Sequence, residues 1–147
     1  GSEMCIRDRT NAVFGGEHSA HYYFRDFWRA DSGMLAAMHV LAALGQQDKP
    51  LSEMMAKYNR YAASGEINSR LDSAEAQADR TEAVVKAFAD RAENVDRLDG
   101  VTVELKDGNW FNVRASNTEP LLRLNVEADT QEAVDALVKE ILAIIRA

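Results

Sequence analysis

Residues 101–126 read VTVELKDGNWFNVRASNTEPLLRLNV. Val101, Val103 and Leu105 alternate with Thr102, Glu104 and Lys106, the period of a strand with one buried face. Asp107-Gly108 is a tight-turn dipeptide, and Trp110 to Arg114 then runs back as the second strand of a hairpin. After a break at Ser116, Asn117 and Thr118, the residues Leu122, Leu124 and Val126 line one face of a further strand. Three strands with short connections make an antiparallel sheet, and its apolar face needs a cover.

The cover is found on either side of this stretch. Asp129 followed by Glu132 is a capping box ahead of Val134, Leu137, Val138, Ile141, Leu142 and Ile145, a long apolar stripe at helical spacing. Upstream, Asp79 and Glu82 form a second box ahead of Val84, Ala87, Phe88 and Ala92, which predicts a helix from about Arg80 to Asn94. Before it, Ile67 and Leu71 alternate with Glu66, Asn68 and Arg70 as in a half-buried strand. The order strand, helix, three strands, helix is that of an α+β domain over residues 58–147, with its helices on one face of a mostly antiparallel sheet.

Residues 11–57 form a different unit. Gly15 and Gly16 precede a polar loop that runs into an aromatic strand from Tyr22 to Phe27. Asp31 or Ser32 can cap a helix whose apolar positions Met34, Leu35, Met38, Leu41 and Ala42 should bury one face before it ends at Gly45. A short helical piece follows from Leu51 to Tyr58. Residues 1–10, GSEMCIRDRT, have no clean period of either kind and stand apart.

Composition limits the function. The 147 residues carry a formal net charge of -7, so the chain offers no electrostatic footprint for a nucleic acid, and any anion must be met locally. One cysteine, Cys5, excludes an internal disulfide and fits a reducing, cytoplasmic setting. The longest apolar stretch, Met34 to Leu44, is too short to span a bilayer.

Two loops could carry chemistry. Arg114, Ser116, Asn117 and Thr118 offer a guanidinium fork and several donors around one tight turn, which suits a phosphate monoester whose charge spreads over three oxygens. Read without a ligand, the same residues are simply a turn, with Asn117 a residue that tolerates a left-handed conformation and Pro120 starting the next strand. In GGEHSAH, an extended loop would point Glu17, Ser19 and His21 to one side as an acceptor, a hydroxyl and an imidazole for the diol edge of a sugar. Ordinary surface polar residues after a glycine turn would look the same. A zinc reading of His18 and His21 is weaker, because a structural site wants four ligands and the three histidines and one cysteine are scattered.

Taken together, FGGEHSAHYYFRDF…ADSG and VRASNTEPLLRLNVEA resemble the α-D-phosphohexomutase family, most closely its phosphomannomutase/phosphoglucomutase branch, from about Asn11 to the end of the chain. The resemblance implies a TATA-box-binding-protein-like β-α-β-β-β-α fourth domain, preceded by the C-terminal part of an α/β third domain. It implies that Glu17, Ser19 and His21 bind the sugar, with His21 a candidate acid–base, and that Arg114, Ser116, Asn117 and Thr118 hold the non-reacting phosphate. The activity implied is an intramolecular phosphotransfer, an isomerase reaction between hexose 1- and 6-phosphates. It uses Mg2+, a phosphoserine and a hexose bisphosphate activator. The Ser-Asn-Thr form differs from the Ser-Gly-Thr usual in the phosphoglucosamine mutase branch, which favours mannose or glucose over glucosamine.

The phosphoserine and metal-binding motifs of the family's first two domains do not occur in these residues. On the resemblance, this chain acts with those N-terminal domains and is inactive without them. The alternative from another class is a non-catalytic phosphate-binding or interaction module. Ala20 stands where the family loop commonly has glycine, and ordinary backbone angles are expected to accommodate it.

Overall fold

In the computed structural model, which describes residues 11–17 and 20–147, the chain divides between Asn59 and Arg60 into two units. The opening segment of residues 1–10, His18 and Ser19 lie outside the described residues.

The C-terminal unit contains β3 (Ala62–Ala63), β4 (Ile67–Arg70), α3 (Ala74–Phe88), β5 (Ala92–Asp96), β6 (Val101–Leu105), β7 (Trp110–Ala115), β8 (Leu121–Ala128) and α4 (Gln131–Ile145). All pairings are antiparallel, in the spatial order β3–β8–β7–β6–β5, with β4 also on β8. β3 and β4 are therefore one edge strand interrupted around Gly65, whose φ is +64°. The chain crosses from that edge to the other through α3 and returns as a four-strand meander.

The alternation in the sequence is the burial pattern of the sheet. Val101, Val103, Leu105, Phe111, Val113, Leu122, Leu124, Val126 and Ala128 face the helices, and α3 and α4 close over them with Val84, Phe88, Val134, Leu137, Ile141 and Ile145. Phe88 and Phe111 meet edge to face at 4.9 Å between ring centroids, a favoured aromatic geometry. The opposite sheet face carries Asn112, Arg114 and Arg123.

Four expectations for this unit need correcting. The helix predicted from Arg80 to Asn94 runs from Ala74 to Phe88, because Ser73 accepts from the Ala76 amide and captures the N-terminus six residues earlier. Asp79 lies inside that helix, and Glu82 grips Arg97 at 2.6 and 3.0 Å instead of capping. Its expected last residues, Ala92 to Asn94, belong instead to β5, an added edge strand with a bulge between Ala92 and Asn94. For α4 the cap is Thr130, accepting from the Ala133 amide at 3.2 Å, rather than Asp129.

The N-terminal unit holds β1 (Phe14–Gly16), β2 (Tyr22–Phe24), α1 (Gly33–Gly45) and α2 (Leu51–Ala56). Gly15 and Gly16 are in the hairpin strand β1, opposite Tyr23 and Tyr22, rather than in a loop before it. The strand expected to reach Phe27 stops at Phe24 and turns. No residue of α1 is buried, against the expected buried stripe, and Met34, Met38 and Leu41 stand open. No helix among the described residues is long and apolar enough to cross a membrane.

Candidate functional site

The β1–β2 hairpin carries the first loop. It does not extend. The Ala20 amide donates to the Glu17 carbonyl at 3.0 Å, the Glu17 amide donates to the His21 carbonyl at 3.0 Å, and Ala20 turns at φ +63°. The expectation that ordinary backbone angles suit Ala20 is overturned: a left-handed alanine costs about 1–2 kcal/mol that glycine would not. Glu17 and His21 are thus joined by a backbone hydrogen bond and do not lie along an extended run, so alternation is not what relates these two residues. Ser19 lies outside the described residues.

Glu17 and His21 are nevertheless both fixed by named partners. The Tyr23 hydroxyl donates to Glu17 Oε1 at 2.9 Å. His21 Nδ1 lies 2.5 Å from Asp31 Oδ2, while Asp31 Oδ1 accepts from the Tyr22 amide at 2.9 Å. Asp31 is set there by a β-bridge to Tyr23, which leaves Ser32 to cap α1 by accepting from the Leu35 amide at 3.1 Å. The sequence offered both residues as caps; the fold uses one for the helix and the other for the histidine. Asp31 is thus a site residue that sequence reading passed over.

The hydrogen bond to Asp31, and then its charge, raise the His21 pKa above its ordinary 6.5, with a smaller push from Glu17. The His21 hydrogen bond and the Tyr22 amide hold Asp31 below its ordinary 3.8. An ionised Asp31 requires the proton on Nδ1, so Nε2 is the ring nitrogen whose proton comes and goes. The His21 contribution is complete below pH 6.5 and is lost as pH rises through its raised pKa; the Asp31 contribution is complete above pH 3.8 and is lost as pH falls through its lowered one. The pair is therefore best formed between those two ordinary values. Asp31→Asn should move the His21 NMR titration midpoint down, and an unchanged midpoint would show that Asp31 does not control this imidazole.

The second loop joins β7 to β8. The Ser116 amide donates to the Leu121 carbonyl at 2.8 Å and closes the turn. The Thr118 and Glu119 amides converge on Ser116 Oγ at 3.4 and 3.3 Å, both long for hydrogen bonds, so two backbone donors aim at one point on an exposed turn. The Asn117 and Thr118 side chains are open to solvent, and Arg114 is half-buried one residue before the end of β7.

Arg114 is not simply presented to solvent. Its Nη1 lies 2.8 Å from Asp99 Oδ2, and its partner across the sheet is Arg123, which reaches Glu66 at 3.5 Å. Asp99 and Glu66 gave no sequence signal, because each contacts a residue far from it along the chain. Among the described residues, no group of three or more His, Cys, Asp or Glu side chains is placed to hold a metal ion.

Residues 66–144 match the C-terminal domain of phosphoglucomutase/phosphomannomutase, and residues 4–61 match alpha/beta/alpha domain III of the same proteins. The chain belongs to the phosphoglucomutase/phosphomannomutase family. It is 44% identical over 119 residues to phosphohexose mutases of Xanthomonas campestris pv. campestris, covering 80% of this chain and 25% of theirs. It is 44% identical over 138 residues to a phosphomannomutase of Salmonella montevideo, and 39% over 135 residues to one of Methanocaldococcus jannaschii, in each case covering 92% of this chain and 29% of the relative. The chain thus spans between a quarter and a third of the curated relatives it matches. The crystal structure of a phosphoglucomutase/phosphomannomutase family protein from Burkholderia thailandensis superposes with a TM-score of 0.72, covering 97% of this chain and 30% of that one, at 24% identity. That likeness establishes the fold. The domain matches place residues 4–61 and 66–144 as domain III and the C-terminal domain of that family.

Proposed function

We propose that this chain supplies two ligand-holding loops of a cytoplasmic phosphohexomutase, an intramolecular phosphotransferase that interconverts hexose 1- and 6-phosphates with mannose or glucose as the sugar. Residues 11–57 would be the sugar-gripping end of the third domain and residues 58–147 the phosphate-binding fourth. Glu17, Ser19 and His21 hold the sugar hydroxyls, with His21 Nε2 the proton-exchanging atom. Arg114, Ser116, Asn117 and Thr118 hold the phosphate that is not reacting. A loop of this kind lets a bisphosphate turn around in one site, because either phosphate fits the same donors. The phosphoserine, the Mg2+ ligands and the response to a hexose bisphosphate activator fall, on this reading, to the N-terminal domains.

The observation that supports the proposal is that one exposed turn entered from Arg114 gathers Ser116, Asn117 and Thr118, with the Thr118 and Glu119 amides both directed at Ser116 Oγ, where an anion oxygen could replace the hydroxyl as acceptor. A non-catalytic phosphate module would need that loop but would have no use for the Glu17–Tyr23 and His21–Asp31 contacts. The test is an NMR titration of the chain with mannose 1-phosphate, glucose 6-phosphate and inorganic phosphate. All three should shift Arg114, Ser116, Asn117 and Thr118, the two sugar phosphates should also shift Glu17 and Ser19, and Arg114→Ala should weaken binding about tenfold or more, the worth of a charge-assisted hydrogen bond. Equal affinity in wild type and Arg114→Ala would remove the phosphate clamp from the proposal.

A further inference from the structure

We propose that Asp99 is the positioning residue of the phosphate loop: it fixes the direction in which Arg114 presents its guanidinium. This rests on the reading of Arg114 as a phosphate ligand. Arg114 stands directly across the sheet from Arg123, an arrangement in which two like charges repel and two long side chains would splay. The Asp99 carboxylate takes Arg114 Nη1 at 2.8 Å, with both side chains about one-third exposed, and so offsets one of the two like charges.

The contact is built into the backbone. The Asp99 carbonyl accepts from Asn112 Nδ2 at 2.9 Å, and the same nitrogen donates to Thr102 Oγ1 at 3.0 Å. The next residue, Gly100, turns at φ +65° and lies so close to β7 that a Cβ there would sit 2.5 Å from the Val113 carbonyl oxygen and 2.9 Å from Arg114 Cα. The turn bearing Asp99 is therefore clamped to the strand residue that bears Arg114. The backbone that carries the carboxylate is thereby fixed, and a guanidinium held by a carboxylate on a fixed backbone loses less freedom when it meets an anion.

Positioning and charge make opposite predictions. A negative charge beside an anion site weakens binding by repulsion, so removing it would tighten phosphate if charge were all that mattered. The positioning role predicts weaker binding in Asp99→Asn, by about 3- to 10-fold for the loss of a pre-organised donor. Asp99→Glu keeps the charge on a longer stem and should also bind more weakly than wild type.

The experiment measures Kd for inorganic phosphate and glucose 6-phosphate by NMR on the full chain for wild type, Asp99→Asn, Asp99→Glu and Arg114→Ala, with the Val103 and Phe111 amides reporting that the sheet is intact. Weaker binding by both Asp99 variants, together with loss in Arg114→Ala, supports the inference. Unchanged or tighter binding in Asp99→Asn with loss in Arg114→Ala overturns it and leaves the phosphate reading standing. If Asp99→Asn does not fold, wild-type affinity in Asp99→Glu overturns it in the same way. Wild-type affinity in Arg114→Ala overturns both.

Discussion

Phe111→Ala should lower the unfolding free energy of the C-terminal unit by about 3–5 kcal/mol, the usual cost of emptying a phenylalanine site in a packed core. Phe111 is fully buried at the centre of the sheet and meets Phe88 of α3 edge to face at 4.9 Å. The ring therefore joins the sheet to the helix that crosses it, and its removal forfeits an aromatic contact as well as buried area. Against a total of about 5–15 kcal/mol for a domain, the loss is a large fraction. Urea unfolding followed by Trp110 fluorescence in a Trp28→Phe background measures it, since Trp28 is exposed and a second emitter. A loss below about 1 kcal/mol would mean that the site collapses around the gap or that Phe88 and Phe111 are not packed as described.

Gly100→Ala should be nearly as costly, about 2–4 kcal/mol, although only one methyl group is added. Two penalties combine. The backbone sits at φ +65°, where an L side chain is strained, and the new Cβ would lie 2.5 Å from the Val113 carbonyl oxygen and 2.8 Å from Arg114 Cβ. Backbone cannot rotate out of the way as a side-chain tip can, so the Asp99–Gly100 turn must lift from β7. Gly108 also has a positive φ, of +87°, but nothing within 4 Å of its would-be Cβ, so Gly108→Ala isolates the first penalty from the second. In the same urea experiment Gly100→Ala should be the more damaging of the two, and equal losses would remove the close approach from the account.

Much of the C-terminal unit was legible because its strands are half-buried. Where one face meets a core and the other does not, the side-chain period of two is written directly into residues 101–105, 110–114 and 122–126, and the α4 stripe is written at the helical period. β5 was not legible for the converse reason. From Ala92 to Asp96 it is an edge strand with little burial, held by backbone pairing to β6, and backbone pairing leaves no pattern in residue types. The N-termini of α3 and α4 were misjudged because several polar residues near each start could serve as the cap, and only the packed chain selects Ser73 and Thr130.

The same division runs through the candidate site. The sequence by itself determined which residues are chemically fit: a turn with an arginine and three small polar side chains, and a glutamate and a histidine in a loop at the head of a hairpin. Those properties are local, set by residue type and by neighbours a few positions away. Only the tertiary structure decided how they are held. Asp31 reaches His21 across the turn that follows β2, Asp99 reaches Arg114 across the hairpin, and Gly100 touches the strand that carries Arg114. These are contacts between residues ten to fifteen positions apart, made when the backbone pairs and not before, and hydrogen bonds and close packing of that kind have no period for a sequence to display.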